Sequence, residues 1–347
     1  MLNFVTLFNS GYLTRGMVLY QSLLKQCANF HLYIVAFDAA TFEYFKNNPK
    51  KNLSVISLEQ FEDTELKRVK PTRSVAEYCW TCTASTILYC ITTFKLDNCT
   101  YIDADMRFYS DPKVLVDEMG ENSVMITDHL YTAKYDQSAT SGKYCVQFVT
   151  FKNTIDGMTV LNWWRNACID WCYNRVEDGK FGDQKYLDEW PKKFKGVHEL
   201  KHLGGGIAPW NAQQYRFTTK GDKIIGTDIA SNKSFEAVFF HYHSLKFFEN
   251  EIVHLADAAY DLSENVIDTF YKSYVKEIIS NYRTVQKSDP TINANGVFGP
   301  AKYLPMSFAT LKKYYLENIR SSKRNMLGAN LSKQMKNHYY FYLNSFH

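Results

Sequence analysis

No run of about 18 apolar residues occurs in the 347-residue chain, so no membrane-spanning helix is expected. The marks of a secretory signal are missing as well. Met1-Leu2-Asn3 leads straight into an apolar run, with no basic segment and no small-residue cleavage site. The cytosol is the expected compartment. Internal repeats and low-complexity segments are absent, which excludes solenoid and linker-rich architectures. Among the eight cysteines, Cys79 and Cys82 make one C-x-x-C, but no second pair stands at zinc-finger spacing. The thiols therefore read as free and mostly buried. The run Gly204-Gly205-Gly206 lacks a following Gly-Lys-Ser/Thr, so it is not a P-loop. No nucleic-acid reading motif is found, and no nucleic-acid partner is expected.

What is present supports a sizeable packed core: 46% hydrophobic and 22% charged residues. Aromatics reach 16%, with 25 Tyr and 24 Phe, a share that suits either a Tyr/Phe-rich core or faces for sugar rings. The net charge of +4 is uneven. From Ser307 onward, Lys312, Lys313, Arg320, Lys323, Arg324, Lys333 and Lys336 face a single acid, Glu317, and Tyr339-Tyr340-Phe341-Tyr342 follows. Such a tail suits either a solvated helix or a peripheral contact with an anionic membrane, at its inner face for a cytoplasmic protein.

The order of elements points to α/β. Short apolar strands are expected at Leu2–Phe8, His31–Phe37, Leu53–Leu58 and Cys99–Ile102, with helices at Gly16–Gln26, Thr41–Phe45 and Ser74–Phe94 between them. Further strands are expected at Val124–Thr127, Val146–Phe151 and Val238–His243, and a helix at Thr159–Tyr173. This pattern implies a mixed, mostly parallel sheet with helices on both faces. Residues 1–250 form the expected catalytic domain. Residues 251–347 form an expected, mainly helical extension. Ligands of such sheets bind beyond the carboxyl ends of the strands. Asn9, Asp38 and Asp103 all stand there.

The segment Asp103-Ala104-Asp105 carries the clearest chemistry. In an extended segment, residues i and i+2 share a side, so two hard carboxylate donors face one point. Such donors suit Mg2+ or Mn2+ with substrate phosphates as further ligands. His241 and His243 share a face of the late strand, and either one is a possible third ligand. The three glycines permit close backbone approach to a ligand.

Tyr101-Ile102-Asp103-Ala104-Asp105-Met106-Arg107-Phe108-Tyr109-Ser110-Asp111-Pro112 resembles the metal-binding segment of GT-A-fold nucleotide-diphospho-sugar transferases. The resemblance is to the retaining galactosyltransferase and glycogenin-like group and to related bacterial surface-polysaccharide transferases. It implies a GT-A-like (Rossmann-like) fold, a nucleotide-diphosphate sugar donor, Mn2+ or Mg2+, and a glycan or lipid-linked glycan acceptor. By the same resemblance, Asp183 would bind sugar hydroxyls, and Gln184 would lie by the anomeric carbon opposite the leaving group, implying retention. An alternative role for Asp183 is a helix N-cap. Phe8, Asn9 and Tyr12 match the positions that hold base and ribose, with Asp38 a further candidate. In Phe240-His241-Tyr242-His243-Ser244-Leu245-Lys246, His241 would complete the metal site and Lys246 would contact the diphosphate. Ser244 replaces the group's glycine, and the lysine comes early, so His243 stays open as the ligand. Gly205, Gly206 and Trp210 resemble the acceptor-side loop. The group's diphosphate arginine is missing from the helix at Ser74–Phe94, and Lys70 and Arg73 are the nearest substitutes.

Other classes fit less well. Aspartyl phosphatases carry Asp-x-Asp-x-Thr early in the chain, whereas here Met106-Arg107 follows a central motif. Nucleotidyltransferases need a glycine- and arginine-rich first loop, which Asn9-Ser10-Gly11-Tyr12 does not provide. A non-catalytic nucleotide-sugar or glycan-binding protein is the remaining alternative.

Overall fold

The structure is a computed structural model and describes residues 1–302 and 338–342. The basic tail from Ser307, with its membrane-contact reading, lies outside the described residues except at 338–342.

In chain order the first half contains β1 (Leu2–Phe8), α1 (Leu13–Gln26), β2 (Phe30–Ala36), α2 (Ala39–Asn47), β3 (Leu53–Ser57), α3 (Leu58–Phe61), α4 (Thr64–Val69), α5 (Val75–Phe94), β4 (Asn98–Ile102), β5 (Met106–Phe108), α6 (Lys113–Glu118), β6 (Val124–Asp128), β7 (Tyr144–Lys152) and α7 (Ile155–Asp170). Then follow α8 (Trp190–Lys193), β8 (Val197–Glu199), β9 (Tyr215–Lys220), β10 (Lys223–Asp228), β11 (Ser234–Glu236), β12 (Phe239–His241), β13 (Lys246–Phe248), β14 (Ile252–His254), α9 (Glu264–Val266), α10 (Lys272–Ser288) and β15 (Tyr339–Phe341).

The main sheet has seven strands in the order β3-β2-β1-β4-β7-β6-β8. Only β7 runs antiparallel to its neighbours. This is the mixed, mostly parallel α/β sheet expected of a GT-A-like chain. Strand alternation sends Val5 and Leu7 of β1 into one core, with α5 and α7, and Phe4 and Phe8 into the other, with α1 and α2. Burial on both faces explains why β1 and β2 are mostly apolar rather than alternating. A third core joins β9, β10 and β12 to α10. Among the described residues no helix is long and apolar enough to cross a membrane. All eight cysteines are free, and only Cys79 is less than buried.

Several boundaries differ from the sequence reading. α5 begins where expected because Ser74 and Glu77 form a capping box. α7 starts four residues early, where Thr154 accepts from the Gly157 amide as N-cap. The region after residue 250, expected to be helical, opens with β14 and becomes helical only from Glu264. The short helices α3 and α4 fill the stretch between β3 and α5.

Gly16 of α1 sits against the ring of Phe8, where an added Cβ would lie 2.2 Å from Cζ. Alanine would gain about 1 kcal/mol of helix propensity, but overpacking a buried ring costs about 1–3 kcal/mol. Gly16→Ala is therefore expected to lower the urea midpoint. An unchanged or raised midpoint would show that Phe8 gives way at no cost.

Candidate metal and donor site

After β4 the chain turns through 103–105 and enters β5, which leaves the main sheet and pairs antiparallel with β12, Met106 opposite His241. The aspartates therefore lie in a turn, not in the extended segment expected from sequence. Main-chain bonds hold that turn: Asp103 N donates to Gln147 O at 3.2 Å, and Tyr242 N donates to Asp105 O at 2.9 Å. One ligand atom each from Asp103, Asp105 and His241 falls within 4.8 Å of the others. His241 Nε2 is 3.2 Å from Asp105 Oδ1 and 3.6 Å from Asp103 Oδ2.

β12 ends at His241, two residues short of the expected strand, because Ser244 adopts φ +64° in the turn that follows. That left-handed backbone is the conformation glycine takes most easily, which accounts for glycine in the resembling motif. His243 is thereby carried out of the strand. Its exposed ring lies 5.7 Å from that of His241, and it is His241 that joins the aspartates.

A half-buried and a buried carboxylate at one point repel, and the imidazole beside them relieves it. Burial would lower His241, but Asp105 above all, and then Asp103, raise it well above the ordinary value. Burial would raise Asp105, yet the His241 charge and hydrogen bond hold it down at about 2. Asp103 is raised by burial, against the pull of His241. A cation could replace the imidazole proton as the positive centre, and two carboxylates with one imidazole form a donor set suited to Mn2+ or Mg2+. His241 is also pre-set for that role. Its Nδ1 meets Gln147 Oε1 at 2.7 Å, which turns Nε2 toward the carboxylates. Gln147, on β7, was not singled out from sequence.

The other expected site residues divide into those near this centre and those engaged elsewhere. Ala104 is buried between the aspartates. Asp183 is buried, and burial pushes its carboxyl up to about 7. A bond with Thr83 works against this, and the charge of Asp103 adds to it, so the two carboxyls share one electrostatic neighbourhood. Asp183 does not cap a helix by its side chain: the next short helix starts at Lys185, with Gln184 as an uncapped N-cap. Gln184 Nε2 donates to Ser141 O at 2.7 Å. Tyr12 stands at the rim, 40% exposed, with the Arg15 guanidinium 4.4 Å from its ring centre. Asn9 and Asp38 shape the first turn: Asn9 accepts from Gly11 N, and Asp38 accepts from Ser10 N and Thr41 N, the latter capping α2. The Phe8 ring faces inward, packed on Gly16 and Phe45.

Lys70 pairs with Glu62 at 2.6 Å, and Arg73 stacks over Tyr173 and donates to Ile169 O. Neither forms an ion pair with Asp103 or Asp105. Lys246 is exposed on β13 beside Phe298. The glycine run is closely packed, Gly204 against backbone and Gly205 against side chains. An added Cβ on Gly204 would meet Glu236 O at 2.0 Å, and Gly205 lies on Leu115 and Leu200. Gly206 lies against Thr127, with Gln147 Nε2 3.7 Å from an added Cβ. The loop then supports β12, since His241 N donates to Ile207 O at 2.9 Å. Trp210 places its edge against both histidines, with centroids at 5.4 Å from His241 and 5.5 Å from His243.

Gln147→Leu is expected to weaken Mn2+ binding about 10- to 100-fold, measured by calorimetry; unchanged affinity would show that the Gln147 contact does not orient the imidazole. Asp183 gives a pH signature. In the metal-free protein its proton is kept to about pH 7 when folded but lost near 3.8 when unfolded, so its contribution to stability falls as pH rises between those values. Asp183→Asn should lack that fall. Across this window the variant should gain on wild type by on the order of 4 kcal/mol in chelator-treated urea titrations. Parallel stability curves would contradict the raised carboxyl.

No family model matches the chain. The Bacillus subtilis (strain 168) "Uncharacterized protein YfnF" is 26% identical over 300 residues, 84% of this chain and 96% of that protein. Among solved structures, the galactosyltransferase LgtC is 12% identical, with 80% of this chain and 96% of that chain covered and a TM-score of 0.47. Mouse xyloside xylosyltransferase 1 is 13% identical, with coverages of 57% and 84% and a TM-score of 0.37. These likenesses are low, and the site stands on its own geometry. The Bacillus subtilis (strain 168) "Uncharacterized protein YfnD" is 30% identical over 231 residues, 64% of this chain and 73% of that protein, and the chain belongs to the YfnD family.

Proposed function

We propose that the chain is a cytoplasmic, metal-dependent glycosyltransferase that moves a sugar from a nucleotide-diphosphate sugar to a glycan or lipid-linked glycan, with retention of anomeric configuration, in surface polysaccharide or lipopolysaccharide synthesis. The observation that carries this reading is the convergence of Asp103, Asp105 and His241 at the end of β4, with Asp183 in the same electrostatic neighbourhood.

Each residue has a chemical part in this reading. Asp103, Asp105 and His241 hold a divalent cation. When bound, that cation supplies positive charge to the leaving diphosphate. Asp183, protonated over much of the acidic range, both donates to and accepts from sugar hydroxyls. The amide of Gln184 is oriented by its bond to Ser141 O, which leaves Oε1 to face positive charge developing at the anomeric carbon. Lys246 and Tyr12 stand at the exposed edge, where diphosphate and nucleoside would enter.

Mn2+ with the correct nucleotide sugar is expected to raise the melting temperature by several degrees in a thermal-shift screen, and Asp105→Ala should abolish the Mn2+-dependent part. An undiminished shift in that variant would remove the cation from the site. NMR of the product anomer tests retention, and an inverted linkage would overturn that part of the proposal. Donor binding without release of nucleoside diphosphate would instead favour a non-catalytic binding protein.

A further inference from the structure

Arg15 is an unusual cation. It lies in the first turn of α1 and is only 2% exposed, yet it forms no ion pair with a carboxylate among the described residues. Its fork is spent on main-chain carbonyls from three separate segments. Nη1 donates to Gly11 O at 3.1 Å and Asn295 O at 3.2 Å, and Nη2 donates to Leu245 O at 3.0 Å. The guanidinium also lies 4.4 Å from the ring centre of Tyr12 and 5.6 Å from that of Phe247. Burying an arginine without a counter-charge is costly, so such a residue persists only where its contacts over-determine it.

Two of the segments that it joins carry candidate residues of the proposed donor site. Gly11 belongs to the turn after β1. Leu245 sits between His243 and Lys246. The third segment, 293–296, follows α10 and is held against α1 by more than Arg15. Thr14 Oγ1 donates to Asn295 Oδ1 at 2.6 Å, and Thr14 N donates to Ala294 O. Gly296, at φ +58°, lies so close that an added Cβ would be 2.9 Å from Gly11 O. Arg15 also helps keep Asp105 charged.

We propose that Arg15 is a positioning residue of the donor site, tying the Gly11 turn, the His243–Lys246 turn and the 293–296 segment into one wall. The inference rests on the donor-site reading for its functional consequence, but the tie itself does not. Lysine keeps the charge but cannot span three carbonyls as a planar fork does, and methionine keeps bulk without charge.

Two measurements test it. In Arg15→Lys, hydrogen exchange at 243–247 and 293–297 should accelerate together by about tenfold or more, with the main sheet unchanged. The donor KM should rise about tenfold while kcat stays within about threefold, and Arg15→Met should raise it further. Folded variants with wild-type exchange in both segments would overturn the tie. Accelerated exchange with an unchanged donor KM would overturn the positioning role while leaving a structural one. If wild type binds no nucleotide sugar, the donor reading fails and the functional role with it, while exchange still decides the tie. Should both variants fail to fold, Gly296→Ala takes their place: accelerated exchange confined to 293–297, with 243–247 unaffected, would overturn the coupling.

Discussion

The architecture around the site depends on bringing two carboxylates together inside the protein. Neither Asp103 nor Asp105 is well solvated, and like charges in a low-dielectric environment repel strongly. The arrangement is stable only if a positive partner arrives from elsewhere in the chain. His241 is that partner, and its delivery requires β5 to abandon the main sheet and pair with β12. The antiparallel insertion of β7 has the same consequence. It sets Gln147 beside β4, where its main chain holds Asp103 and its side chain aims His241. A fully parallel sheet would place a helix crossover between those neighbours in sequence, and it would not bring Gln147 to this point in the same direction.

The aromatic abundance resolves largely into packing. Tyr242 stacks on Tyr274 at 3.5 Å and shares a hydrogen bond with Tyr109, while Phe240 stacks on Phe270 at 4.6 Å. These rings weld β12 to the late helices, so the strand carrying His241 is anchored on both sides. Arg107 completes the join through a two-pronged bond to Glu277 of α10. Residues beyond 250 are thus part of the support of the centre, packed into the same core as Ile207 and Phe240. Trp210 is an exception to the pure packing role, since its edge reaches both histidines.

Much of this was legible in the sequence, and the physics of each element explains how much. β1, β2 and β4 are short apolar runs ended by polar turn residues, and the capping box at Ser74 announces α5. The aspartate pair was legible because a strand end is where such a sheet places ligands. The geometry of the pair was not, since a three-residue turn and an extended segment share one sequence. The choice between His241 and His243 depended on where β12 stops, which is set by the positive φ of Ser244 and not by side-chain pattern. Gln147 and Arg15 were illegible for a stronger reason. A glutamine inside an apolar strand and an arginine inside an apolar helix leave only a faint signal, because their meaning lies in partners 94 and 280 residues away.

The missing arginine of α5 has a structural counterpart. The first turn of that helix is occupied by a different task. Glu77 accepts from Ser74 N and from Asn174 N, Arg73 stacks on Tyr173, and Trp80 lies 3.4 Å beneath the position a Gly182 Cβ would take. Each contact fixes part of the loop that leads from α7 to Asp183 and Gln184. An arginine projecting from this turn would compete with that docking for the Glu77 carboxylate. The buried arginine Arg15 lies in α1, where β1 ends, with its guanidinium engaged by main-chain carbonyls. Asp103 and Asp105 meet His241 through β4, β7 and β12, so their pairing is specified apart from the side chains that α1 and α5 present.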